Sequence, residues 1–151
     1  MYLLSTEDGL KFIERFNNLE LPKTEWTHEA HLMVGLWVTT TFGNRALPEM
    51  RQRIRRFNES VGTINSDSTG YHETLTVFWL WAIRQFCERI NRWTFDEIAL
   101  DELLFDENLT RRRLVEDYYS EAILLLPEAR KKFIRPDVQP LRGVDFLLIK
   151  N

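Results

Sequence analysis

The sequence predicts an all-α protein, a compact single-domain bundle of about five helices with an extended C-terminal tail. Three observations predict it. Apolar residues recur at spacings of three and four, residues that start and stop helices flank those stretches, and few segments alternate apolar with polar residues as half-buried strands do. The chain has 151 residues, 44% of them hydrophobic and 28% charged. A chain of that length buries enough surface to hold a core without a metal or a disulfide. Neither an internal repeat nor a low-complexity linker divides it, so one domain is expected over 1–151.

The first predicted helix covers 26–38. Thr24 or Thr27 serves as its N-cap, apolar residues crowd from Leu32 to Val38, and Gly43 is placed to end it, while the β-branched run 38–41 weakens its last turn. In the second, Leu47, Met50, Ile54, Phe57 and Val61 form one apolar face, with Arg51, Arg53, Arg55 and Arg56 largely off it. Pro48 suits its first turn and Gly62 its stop. Residues 61–70 are turn chemistry, rich in Gly, Asn, Ser and Asp. The strongest stripe, Leu75, Phe78, Trp79, Ala82, Ile83, Phe86 and Ile90, predicts a central helix over about 72–91. Thr94-Phe95-Asp96-Glu97 reads as a capping box opening a short helix toward Leu104. A fifth helix is expected over about 109–119. Pro136 and Pro140 predict an extended tail from about 136 packed over the body, with 146–149 as a short strand or an apolar strap.

A net charge of −3, from 20 basic and 23 acidic side chains, leaves no global positive field, so neither nucleic acid nor an anionic membrane is an expected partner. No run approaches the roughly 20 apolar residues that span a bilayer. The segment 1–8 lacks a basic start and an apolar stretch, and the single Cys87 has no partner for a disulfide; a cytoplasmic protein is expected. Gly-rich phosphate loops, Cys-x-x-Cys, Gly-x-Ser-x-Gly and dinucleotide fingerprints do not occur, which disfavours the enzyme classes that depend on them. The basic clusters 51–56 and 111–113 read best as solvated helix faces balanced by nearby carboxylates. Among the tryptophans, Trp37, Trp79 and Trp81 are expected in the core, and Trp26 against a pocket.

The three histidines carry the functional expectation. His28 and His31 stand three apart at the start of the first predicted helix, about 60° apart around its axis. His72 stands at the start of the third. If consecutive helices are antiparallel, the first and third run parallel and all three histidines gather at one end of the bundle. A divalent transition metal, zinc or iron, would take His28, His31 and His72 as ligands, with Glu73 or Glu29 as fourth ligand or general base. The sequence therefore suggests a metal-dependent enzyme of hydrolase, lyase or isomerase type acting on a small-molecule substrate. Metal-free acid–base chemistry uses the same groups, with Glu73 or Glu29 orienting a histidine and Tyr71 donating to a developing oxyanion. Anion binding is a third use, drawing on the two helix starts and the hydroxyls of Thr27, Thr74 and Thr76. Histidines at helix starts also serve simply as caps or donors to backbone carbonyls. On that reading the protein is a non-catalytic binding or interaction protein whose arginine-rich helix face meets a partner.

The stretches Trp26-Thr27-His28-Glu29-Ala30-His31-Leu32, Tyr71-His72-Glu73-Thr74-Leu75-Thr76, and Ala129-Arg130 through Phe133 to Pro136-Asp137 and Pro140-Leu141 resemble a family of small helical bacterial proteins to which no activity is assigned. The resemblance spans about 21–141 and leaves out the tail after Gly143. It implies bacterial origin, one compact domain and a pairing of the two histidine motifs.

Overall fold

The computed structural model describes residues 2–149; residues 1, 150 and 151 of the expected domain lie outside the described residues. The described chain is all-helical without a strand, as the periodicity predicts. It forms α1 (Thr6–Asn17), α2 (His28–Phe42), α3 (Ala46–Ser60), α4 (Glu73–Ile90), α5 (Glu97–Leu104) and two short helices, α6 (Glu121–Leu124) and α7 (Pro127–Lys131).

The core forms where α2, α3 and α4 pack on one another. α2 is apolar all round, burying Ala30, Leu32, Met33, Val34, Leu36 and Val38, as a helix surrounded by others must. Its last turn survives the β-branched residues because Thr39 and Val38 are themselves buried, and Gly43 caps it at φ +56. α3 buries the expected face of Leu47, Met50, Ile54 and Phe57. α4 shares the centre with α2. Gly35 lets the two approach, because a Cβ there would overlap Ile83 Cδ1.

The arginine face of α3 is largely spoken for. Arg51 forks onto Glu73 at 3.0 and 2.6 Å, Arg53 pairs with Glu49 and bonds Asn17, and Arg55 lies over the Tyr71 ring.

Three expectations are corrected. α5 opens at Glu97 with Asp96 as its cap, accepting from Ala99 N–H at 2.9 Å, while Thr94 bonds Asp96 instead of capping. The Glu97 carboxylate accepts from the Thr6 backbone, and Thr6 Oγ1 accepts from the Glu97 backbone, so the starts of α1 and α5 cap each other. The expected fifth helix is only a 3-10 turn, Arg112–Asp117. α1, α6 and α7 were not anticipated.

The C-terminal segment does run over the body. Thr74 Oγ1 joins Lys132 O and Ile134 N, Tyr119 donates to Ile134 O, and Trp81 Nε1 donates to Arg142 O. The end of the strap is a 3-10 turn, Val144–Leu148, which buries Val144 and Leu147. None of the described helices is long and apolar enough to cross a membrane.

Candidate functional site

A cavity of about 800 Å³ opens at one end of the core. It is bounded by the first half of α2, the second half of α3 and the first half of α4, with a fourth wall from residues 112–125. That pattern of halves is the expected antiparallel succession, with α2 and α4 starting at the same end. His28, His31 and His72 all line this cavity.

The rings are held differently. His28 Nε2 donates to the carbonyl of Leu109 at 2.7 Å, and its edge meets Trp79 with centroids 4.8 Å apart. His31 Nδ1 donates to Thr27 O at 2.7 Å, and the ring packs on Trp26 at 3.8 Å. A carbonyl only accepts, so each bond assigns the proton and leaves one ring nitrogen without a partner: Nδ1 of His28 and Nε2 of His31. Burial holds the His31 pKa down to about 4; the Thr27 bond opposes this, and charge on His28 and Arg112 adds to it. At neutral pH His31 is therefore an uncharged acceptor.

His72 has no nitrogen to spare. Its Nε2 donates to Leu124 O at 3.0 Å, and its Nδ1 accepts from Leu75 N–H at 3.2 Å as the N-cap of α4. Burial lowers its pKa too. Among the described residues no three His, Cys, Asp or Glu side chains group so as to hold a metal ion. The expected ligand set of His28, His31 and His72 thus reaches one cavity without being aimed at one point.

The expected acid–base partners lie elsewhere. Glu73 is buried outside the cavity lining, with both oxygens engaged by Arg51 and Oε1 also accepting from Tyr71 Oη at 2.5 Å. Tyr71 lines the cavity, but its hydroxyl is spent on Glu73, and burial beside that carboxylate raises its pKa well above the usual phenol range. Glu29 is exposed and belongs to a separate surface depression. The hydroxyls expected to bind an anion are likewise occupied: Thr27 caps Ala30, Thr74 ties the C-terminal segment, and Thr76 donates to His72 O.

Other groups complete the site. Trp26 lines it as expected, Trp79 lines it instead of lying wholly in the core, and Leu32, Met50, Ile54, Leu80 and Ile83 make a predominantly apolar floor. At the mouth, Arg113 is paired with Glu116, while Lys23 and Arg112, which also line it, make no ion pair or side-chain hydrogen bond among the described residues. Arg112 was legible only as one of a basic triplet, and Lys23 carried no signal.

Comparison of the chain with protein-family models, with curated proteins and with solved structures finds no match.

Proposed function

We propose that the protein is an enzyme that acts on a small molecule bound in the cavity between α2, α3 and α4. One observation carries this reading. Two imidazoles in the first turn of α2 each have one nitrogen tied to a backbone carbonyl and the other bare, at the wall of a mostly apolar cavity large enough for a metabolite.

The two histidines take different roles. A ring held at about 4 is too weak a base to accept a proton at neutral pH, so His31 orients the substrate as a hydrogen-bond acceptor. Proton transfer then falls to His28, whose bond to Leu109 O keeps the ring in one tautomer. Isomerisation, elimination or hydrolysis each need such a base. A metal-dependent form of the reading uses the same two bare nitrogens as ligands and draws its remaining ligands from substrate and water. The buried, unpaired Cys87 accords with a cytoplasmic setting.

The test is to incubate the protein with a small-molecule extract of cells and follow depletion by mass spectrometry. Wild type is expected to consume particular compounds, and His28→Ala to consume none of them. Equal depletion by wild type and the His28→Ala/His31→Ala double variant overturns the proposal. Titration with Zn²⁺ or Fe²⁺, read by the imidazole ¹⁵N shifts, separates the two uses: metal ligation moves His28 and His31 together and leaves His72 in place.

A further inference from the structure

We infer that the ligand of this cavity is an amphipathic carboxylate, its apolar body on the floor and its head at the mouth between Lys23 and Arg112. The inference rests on the reading of the cavity as a small-molecule site and deepens it to a substrate class.

Two features of opposite character, one deep and one shallow, lead to it. The floor is built from Leu32, Met50, Ile54, Leu80 and Ile83, with Gly35 exposing only backbone. These side chains offer nothing to hydrogen-bond, and the buried Asn58, Thr76 and Tyr71 of the same lining are engaged by Asn65, His72 and Glu73, so the part of a ligand that displaces water from the floor must be hydrocarbon. The mouth has the contrary character. Arg113 is neutralised by Glu116, with bonds of 2.5 and 2.9 Å. Lys23, from the 3-10 turn before α2, and Arg112, from the 3-10 turn before α6, have no such partner. Arg112 lies near enough to His31 for its charge to act on the ring.

The remaining carboxylate of the mouth, Glu121, acts by its charge on Arg113. Both carboxylates of the mouth, Glu116 and Glu121, thus act on Arg113, and neither is paired with Lys23 or Arg112. An anionic head is drawn to the two cations that no carboxylate holds. A guanidinium offers the planar two-pronged donor that a carboxylate accepts, and a lysine adds a point charge. With the head there, the first carbons of the body pass His31 and His28, which puts the reacting centre next to the carboxylate.

The experiment measures binding to the full chain by calorimetry, using decanoate, decanol and decylamine, which share one body and differ in head. Decanoate is expected to bind about tenfold more tightly than decanol, and decylamine more weakly than either. Lys23 and Arg112 are exposed, so their replacement spares the core. In Lys23→Ala/Arg112→Ala the tenfold advantage of decanoate is expected to vanish while decanol binding holds. Raising salt from 0.05 to 0.5 M should erode the same advantage. The inference is overturned if decanol or decylamine binds as tightly as decanoate, or if the double variant weakens decanoate and decanol equally. Failure here with depletion by wild type intact rejects the carboxylate class alone. Decanoate binding without any depletion rejects catalysis and leaves the ligand class standing.

Discussion

A buried imidazole gives up its second proton easily, even where a bond to a carbonyl favours the charged form. His31 has an ordinary pKa near 6.5 in the unfolded chain and about 4 in the folded one. Between those values the unfolded chain holds a proton that the folded chain lacks, so stability falls as pH drops from 6.5 to 4 and is unaffected by this group above 6.5. His31 keeps some contact with solvent, so after screening the loss is about 2 kcal/mol at most. His72, lowered by burial, adds in the same direction. Urea unfolding at pH 7 and pH 4.5 is expected to show a smaller stability difference in His31→Leu than in wild type; an identical difference refutes the assignment. A second residue-scale expectation concerns Gly70, at φ +77, where a Cβ would overlap Ile64 O and lie 2.9 Å from Asn65 Cα. Both are fixed backbone atoms, so Gly70→Ala is expected to cost about 2 kcal/mol or more in chemical denaturation. The Glu73 carboxylate, buried and held by Arg51 and Tyr71, should register in stability as well. Arg51→Met is expected to cost about 2–3 kcal/mol, and the Glu73→Gln background to shrink that cost, as a double-mutant cycle will show.

Helices differ in how openly they announce themselves. α2, α3 and α4 were legible because their signals are local: Thr27 and Gly43 at the ends of α2, the 47–50–54–57 face of α3, and the stripe from Leu75 to Ile90 in α4. α1 was missed because its buried face is Gly9, Ile13 and Phe16, and a glycine contributes no apolar side chain to a stripe. Its Cβ position is taken by Leu100 Cδ1, 2.7 Å away. The region 109–119 was read as a helix, yet Leu109 and Leu114 stand five apart, and the helical period fails between them. At α5 the motif misled because Glu97 caps a residue 91 positions away. That joint is testable. Thr6→Ala and Glu97→Ala are each expected to cost about 1 kcal/mol, and together less than the sum, because both bonds pin the same pair of helix starts. A strictly additive cycle would show the two caps to be independent. Convergence of the histidines was legible from two chain reversals. The commitments of their nitrogens were not, since Leu109 and Leu124 lie 81 and 52 residues from the rings they hold.

At the scale of the whole molecule, the cavity is unfilled volume beside the most buried part of the core. A ligand that fills it binds the folded state alone and stabilises by mass action, about 2.7 kcal/mol at a hundred times its dissociation constant. For a chain of this size that corresponds to a rise of roughly 5–10 °C in Tm. Calorimetric scans with saturating decanoate are expected to show it, and an unchanged Tm counts against occupancy of the cavity. The arginine-rich face, by contrast, is used inside the molecule, with Arg51 and Arg53 holding α3 to its neighbours. Cys87 is fully buried and its thiol is pushed up to about 11, so native protein should resist maleimide and react only after unfolding.

Gly35 yields its side-chain space to Ile83, and both line the cavity, so on the proposed reading the bulk of Ile83 acts as a ruler for the chain that enters. If the ligand is the proposed carboxylate, Ile83→Ala is expected to move the preference from decanoate toward dodecanoate in calorimetry, and an unchanged preference shows that this close approach of two helices does not set the length.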